Sequence, residues 1–269
     1  VCHRIVWSFV TLGLVLPVML WRGRWGGFQA VYQQLRSRKV WAVYFIAAVM
    51  IAINWLAFIW AVNNNRVLEA SLGYYINPLL NVVLGVVVLG ERLRWPQWMA
   101  VGFAAVGVSV MAVGNGGLPW VSMAMASSFA IYGLVKKKAS LPVLLGLMLE
   151  VTLLVVPAAI YLGMRLADGV STMQTGTTTE FGMLLGAGLI TIAPLAFFAA
   201  AVQRVDLSLM GILQYIGPTL QFLVGYVLFG ETLDLPRKIG FVFVWTGLLI
   251  FLLASQLKRR RPPLVAEAT

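Results

Sequence analysis

Long runs of uncharged, apolar residues are the feature that most restricts how this chain can fold. They cover residues 5–21, 40–65, 70–90, 95–135, 139–164, 181–203, 207–230 and 239–257, with Glu150 as the single charge inside them. A helix needs about 20 apolar residues to cross a bilayer, so most runs predict one transmembrane helix each. The longest run contains the turn residues GNGGLP at 114–119 and predicts two helices, about 96–113 and 119–135. We therefore expect nine transmembrane helices.

The composition excludes several classes of protein. Hydrophobic residues make up 61% of the 269 residues and charged residues only 11%, whereas a soluble domain carries about 25% charged residues. This excludes a soluble enzyme and a disordered chain, and a single cysteine, Cys2, excludes an internal disulfide. Membrane strands would alternate polar and apolar residues, which these runs do not do. The sequence predicts an all-α polytopic membrane protein in contact with the lipid bilayer.

The net charge of +11 is explained by topology and not by a nucleic-acid partner. If the chain crosses nine times, 15 of the 20 Lys and Arg residues fall in segments on one side, 21–40, 91–95, 136–140, 202–206 and 257–269. This excess is the positive-inside pattern. We expect these segments, including the basic tail 258–269 at the C-terminus, to be cytoplasmic and to face lipid headgroups.

An internal repeat relates the two halves of the chain. Residues 74–96, YYINPLLNVVLGVVVLGERLRWP, match residues 214–236, QYIGPTLQFLVGYVLFGETLDLP, at an offset of 140 that pairs Pro78 with Pro218. Helix 119–135 has no mate, because the mate would precede Val1, so we expect a first helix to be missing. Two five-helix repeats must be inverted, since five is odd. The predicted domains are 1–116 (first repeat), 117–257 (second repeat) and the tail 258–269.

Several blocks of sequence resemble a known transporter family. The segments NWLAFIWAVNNNRVLEASLGYYINPLLNVVLG, GERL, SSFAIYGLVKKK and QYIGPTL occur in order along the chain. They resemble the EamA branch of the drug/metabolite transporter superfamily, and within it the RarD group of chloramphenicol-sensitive bacterial proteins. The resemblance implies ten helices in two inverted five-helix repeats. It also implies transport of a small molecule across the bacterial inner membrane.

Polar and small residues form one stripe on each of the paired helices 70–90 and 210–230. Such residues avoid lipid, and a proline removes a backbone hydrogen bond near the middle of each helix. Two broken or kinked helices related by inversion point to a substrate site at the bilayer midplane, although helix packing explains small and polar residues as well. The candidate substrate-binding residues are Ser71, Tyr74, Asn77, Asn81, Gln214, Tyr215 and Gln221, with helix breaks at Pro78 and Pro218.

Glu150 is the lone charge within an apolar run. A carboxylate inside a bilayer costs about 2.5–3.5 kcal/mol on insertion scales. Glu150 is therefore a candidate for coupling transport to protons or for binding a cationic substrate group. The alternative is a structural carboxyl group, protonated or paired with a cation such as His3 or Arg4.

Two further sets of residues, one in the run 40–65 and one at the ends of the paired helices, bear on the candidate sites. Asn54 and Trp55 lie deep in the run 40–65 and are additional candidates for the substrate site, whereas most other tryptophans fit an interfacial aromatic belt. Glu91 and Glu231 follow a glycine at the ends of paired helices, and we interpret both as solvated helix ends, not as catalytic acids.

These features favour a secondary transporter without a cofactor. No phosphate-binding loop is present in the sequence, and the single histidine excludes a zinc-protease motif. An exporter of a small amphiphilic metabolite or drug, driven by an ion gradient such as protons, is the first hypothesis. An intramembrane enzyme that uses Glu150 and a non-transporting membrane scaffold are the alternatives.

Overall fold

The described part of the chain is entirely helical. A computed structural model describes residues 36–114, 116–169, 177–220 and 234–259, and no β-strand occurs among them. The helices are α1 (Arg38–Asn63), α2 (Val67–Leu89), α3 (Trp95–Gly114), α4 (Trp120–Lys137), α5 (Val143–Ala167), α6 (Thr178–Val202), α7 (Leu207–Leu213) and α8 (Leu235–Arg259). This confirms the all-α class. The predicted helix at 5–20 and residues 221–230 of the predicted helix 210–230 lie outside the described residues.

Five of the described helices are long and apolar enough to cross a membrane. The spans are Arg38–Asn63, Glu69–Leu89, Trp95–Gly114, Val143–Tyr161 and Leu235–Ala254. Two shorter apolar helices, Ala193–Val202 and Leu207–Leu220, lie between them in the chain. Five of the predicted spans are therefore confirmed as membrane-length apolar helices, and the total of nine spans stays a prediction.

The chain divides into two compact units, and neither is continuous in sequence. One unit comprises residues 1–60 and 131–205, and the other comprises 61–130 and 206–269. Among the described helices, the first unit contains most of α1, the end of α4, α5 and α6. The second contains α2, α3, the start of α4, α7 and α8. Each unit draws on both predicted repeats, and the division of the chain into repeats at residue 116 stays a prediction.

In the second unit, α3 and α8 pack closely and run in opposite directions. A Cβ atom added to Gly107 would lie 2.6 Å from the carbonyl oxygen of Gly240, and one added to Gly247 would lie 2.6 Å from the carbonyl oxygen of Ala100. The residue numbers on α8 thus increase as the numbers of the residues that they contact on α3 decrease, so the two helices are antiparallel. Small residues permit this approach of the two backbones.

Helices α2 and α7 of the same unit also pack in opposite directions. Gly211 lies against the carbonyl oxygen of Pro78, where a Cβ atom would be 2.6 Å away, while Gly85 lies near the backbone nitrogen of Ser208. Part of the predicted stripe is therefore a helix-packing surface, as the alternative interpretation held. This packing brings the polar residues of α2 against the end of α7.

Glu91 is not a solvated helix end, contrary to the prediction. Helix α2 ends at Leu89 and is capped by Gly90, whose φ of 69° is in the left-handed region that glycine adopts at low cost. The turn places the Glu91 carboxylate at the first residue of α7, where Oε1 accepts from the Leu207 backbone N–H at 2.7 Å and Oε2 from the Ser208 N–H at 2.8 Å. These N–H groups have no partner within their own helix, so the carboxylate caps it. Glu231 lies outside the described residues.

Candidate functional site

Three amide side chains meet where α2 packs against the end of α7. Asn77 and Asn81 are one helical turn apart on α2, so their side chains share a face. Asn77 Nδ2 donates to Gln214 Oε1 at 2.6 Å, and Asn81 Nδ2 donates to the same oxygen at 2.8 Å. The structure thus brings together three of the residues that the repeat predicted for the substrate site, and we call Asn77, Asn81 and Gln214 the amide cluster.

The amide cluster has more hydrogen-bonding capacity than its members use. Asn77 is 7% exposed and Asn81 is fully buried. The Oδ1 atoms of both asparagines and Nε2 of Gln214 are buried and find no hydrogen-bond partner among the residues that the structure describes. Each buried polar group left without a partner costs about 1–3 kcal/mol. The cluster therefore offers two acceptors and one amide donor to any group that reaches it.

Two tyrosines join the same helices next to the prolines. Tyr215 Oη donates to the backbone carbonyl of Tyr75 at 3.2 Å, and Tyr75 Oη donates to the carbonyl of Pro218 at 3.4 Å. Helix α2 continues through Pro78, whereas the helix that starts at Leu207 is interrupted by a turn at 214–215, just before Pro218. The interruption is at Gln214, the residue that holds the amide cluster together.

The remaining candidates for the substrate site are more dispersed. Ser71 is half-buried and Tyr74 is 37% exposed, both on α2. Asn54, which is buried, and Trp55, which is half-buried, belong to the other compact unit. Gln221 lies outside the described residues.

Glu150 forms a buried ion pair in the first unit. Lys136 Nζ lies 2.6 Å from Glu150 Oε1, and the two side chains are 1% and 3% exposed. Tyr132 Oη donates to the other carboxylate oxygen at 3.2 Å. Both oxygens of the carboxylate thus have a partner, and the charge of Glu150 is balanced within the protein.

Aromatic rings surround the ammonium of Lys136. Its Nζ lies 5.4 Å from the ring centre of Tyr44 and 5.8 Å from that of Tyr132, within the range of cation–π attraction. Tyr44 Oη accepts from the Leu141 backbone N–H at 3.1 Å, which ties α1 to the segment before α5. Tyr44, Tyr132, Lys136 and Glu150 are each at most 2% exposed. We call the site that Tyr44, Tyr132 and Glu150 form around the Lys136 ammonium the ammonium cage.

Lys136 and Tyr44 are not among the residues that the sequence predicts for a functional site. The prediction that Lys136 faces lipid headgroups is wrong, because its side chain is buried on α4. The signal was the spacing of four residues from Ser128 to Tyr132 to Lys136, which continues one buried face of the helix. His3 and Arg4, the cations suggested as partners for Glu150, lie outside the described residues.

Comparison with known proteins gives a consistent family. Residues 3–113 match the EamA-like transporter family. The chain is 44% identical to Protein RarD of Streptomyces exfoliatus, over 92% of this chain and 77% of that protein. It is 40% identical to Protein RarD of Escherichia coli K12, over 96% and 86% of the two chains.

Two further likenesses agree with this result. An uncharacterized transporter of Vibrio cholerae is 44% identical over 93% of this chain and 80% of its own length. A protein of known crystal structure has a TM-score of 0.66 and 20% identity, covering 95% of this chain and 88% of its own, which supports the fold alone. The apolar membrane-length helices and these extended sequence identities lead to one conclusion: the chain belongs to the EamA-like transporter family and is a relative of the RarD proteins.

Proposed function

We propose that this protein is a secondary transporter that exports a small amphiphilic metabolite or drug across the bacterial inner membrane, with its C-terminus in the cytoplasm. The amide cluster is the observation that carries the proposal. Buried amide atoms without partners are costly in a packed protein, and a site that hydrogen-bonds a substrate is one reason to retain them. Membership in a transporter family agrees with this role.

The amide cluster suits an uncharged polar group on the substrate. Its three members carry no charge, so a charged ligand would lose its hydration without gaining a counter-ion. The two hydrogen bonds to Gln214 are retained if all three amides reverse, since Nε2 then donates to both asparagines. The cluster can therefore meet a ligand that donates, accepts or does both. Tyr74, on the same helix as the two asparagines, is the candidate for contact with the apolar part of such a substrate.

Inverted repeats supply the mechanism of alternating access. At the offset of 140, the approach of Gly107 to Gly240 corresponds to the approach of Gly247 to Ala100, and both are close backbone contacts. Phe103 and Phe243, which are mates at this offset, have ring centres 6.0 Å apart between those contacts. This reciprocal pattern supports an inverted relation between α3 and α8. Rocking of one repeat against the other would expose the site to each side in turn.

Glu150 is the candidate group for coupling to protons. A buried carboxylate must be neutralised in every conformation, and Lys136 does so in this one. If Lys136 withdraws, a proton is the smallest substitute. The groups that face the pair are Tyr132 on α4 and Tyr44 on α1.

Reconstitution of the full-length protein in liposomes tests the proposal. Uptake of an uncharged amphiphilic solute is expected, and Asn77→Asp should lower it at least tenfold because it places a negative charge in a neutral site. Asn63→Asp is the matched control, since Asn63 is exposed at the end of α1. Normal uptake by Asn77→Asp would remove the amide cluster from the substrate site, and no uptake across a broad panel by folded protein would refute transport.

The role of Glu150 needs a variant that leaves no unpaired charge. Glu150→Gln combined with Lys136→Met neutralises both partners. Uptake by the wild-type protein should depend on the pH gradient, and uptake by the double variant should not. Independence of pH in both proteins would show that Glu150 does not couple transport to protons.

A further inference from the structure

The ammonium cage has the features by which proteins recognise organic ammonium ions. Such sites place aromatic faces around the cation and a carboxylate against it. Here the rings of Tyr44 and Tyr132 lie within 5.8 Å of Lys136 Nζ, and Glu150 Oε1 lies at 2.6 Å. The cation in the cage is a side chain of the protein itself.

The walls of the cage are held in place without the help of Lys136. Tyr44 is fixed by its hydrogen bond from the Leu141 N–H. Tyr132 is stacked on Phe198, with ring centres 6.1 Å apart and planes 19° from parallel. A Cβ atom at Gly146 would lie 2.7 Å from the Tyr44 ring, so the ring fills the space over α5. Lys136 thus fills a site whose aromatic walls have their own supports.

Lys136 lies close to the C-terminal end of α4. It is the penultimate residue of α4, which ends at Lys137. Lys137 Nζ donates to the carbonyl of Val205 at 2.5 Å, and Lys138 is exposed, so the neighbouring lysines point elsewhere. A long, flexible side chain at a helix end can leave a site without unfolding the helix.

We propose that Tyr44, Tyr132 and Glu150 form an exchangeable binding site for a primary alkylammonium ion, which the side chain of Lys136 occupies in this conformation. The proposal rests on the proposed transport function, because it assigns a cationic amine as a substrate or co-substrate that takes the place of Lys136. The carboxylate remains neutralised during the exchange, by Lys136 or by the incoming ammonium. A primary ammonium reproduces the group that Lys136 places in the site, and a quaternary ammonium is excluded because it cannot donate the hydrogen bond to Oε1.

Removal of the Lys136 side chain from the ammonium cage tests the proposal directly. Lys136→Ala removes the side chain beyond Cβ, and n-propylammonium matches the missing atoms. The melting temperature of purified Lys136→Ala should rise saturably with n-propylammonium chloride, by about 2–4 °C at ten times the dissociation constant. Propan-1-ol, tetramethylammonium chloride and potassium chloride should give no saturable rise. The wild-type protein should respond only at higher n-propylammonium concentrations, because Lys136 competes for the site, and a complete lack of response would overturn the exchange. Lys136→Ala combined with Glu150→Gln should not respond to n-propylammonium.

Each outcome decides the proposal. A response of Lys136→Ala that propan-1-ol reproduces, or no saturable response by folded protein, overturns it. If the variant does not fold unaided, n-propylammonium in the growth medium and buffers should restore a monodisperse gel-filtration peak, and failure to restore it overturns the proposal as well. Binding is measured here without transport, so a rescued variant of a protein that moves no solute would refute the transport function and leave the ammonium site standing.

Discussion

The buried pair of Lys136 and Glu150 gives the sharpest prediction for stability. Lys136→Met leaves a carboxylate that is 3% exposed without its cation, and Glu150→Gln leaves an ammonium that is 1% exposed without its anion. Breaking a buried pair by removing one partner costs about 3–5 kcal/mol. Each single variant should therefore lose that much stability, which is more than a hundredfold in the unfolding equilibrium.

The double variant should behave differently from the sum of the single ones. Replacing both charges by neutral side chains of similar size is often neutral or stabilising, and Gln at position 150 still accepts from Tyr132. We expect Lys136→Met combined with Glu150→Gln to unfold within about 1–2 kcal/mol of the wild type, since the desolvation cost of both charges is removed as well. The measurement is detergent-induced unfolding followed by tryptophan fluorescence. Asp234→Asn is the control, because its ion pair with Arg237 is partly exposed and is worth at most about 1 kcal/mol. Additive losses in the double variant would refute a direct pair.

Three further variants, two of them with a matched glycine control, test helix packing and helix capping. Gly107→Ala should destabilise the protein by about 1–3 kcal/mol, because its Cβ would lie 2.6 Å from a carbonyl oxygen of α8. Its control is Gly102→Ala on the same helix, which has open space around its Cβ and should be neutral or stabilising in the same unfolding assay. Glu91→Gln replaces one of two accepting oxygens by a donor, so we expect a loss of about 0.5–2 kcal/mol; unchanged unfolding would contradict the capping role. Gly146→Ala should displace the Tyr44 ring and lower the melting temperature, while Gly163→Ala, which meets nothing within 4 Å, should not. Equal effects of these two changes would argue against close packing at the ammonium cage.

The residues of the amide cluster could be predicted from the sequence, whereas Glu150 could be predicted but its partner Lys136 could not. Asn77 and Gln214 stood out because each lies on a stripe of polar and small residues on one of two apolar helices that the repeat relates. Glu150 stood out because a charge in an apolar run is rare. Its partner Lys136 did not stand out, since it is one of three consecutive lysines at 136–138. Only the rotational position of α4 relative to α5 places the Lys136 side chain beside Glu150.

The sequence by itself determined the helices and the class of protein. Five apolar stretches of about 20 residues form membrane-length helices, because the backbone must satisfy its own hydrogen bonds in lipid. The side-chain contacts between helices cannot be predicted in the same way, since they depend on which faces of helices that are distant in sequence pack together. Only the tertiary structure decided that Glu91 caps α7 instead of facing solvent, and that the charge of Glu150 is answered by Lys136 inside an aromatic cage. Both contacts join residues whose spacing in sequence carries no periodic signal, so packing alone could select them.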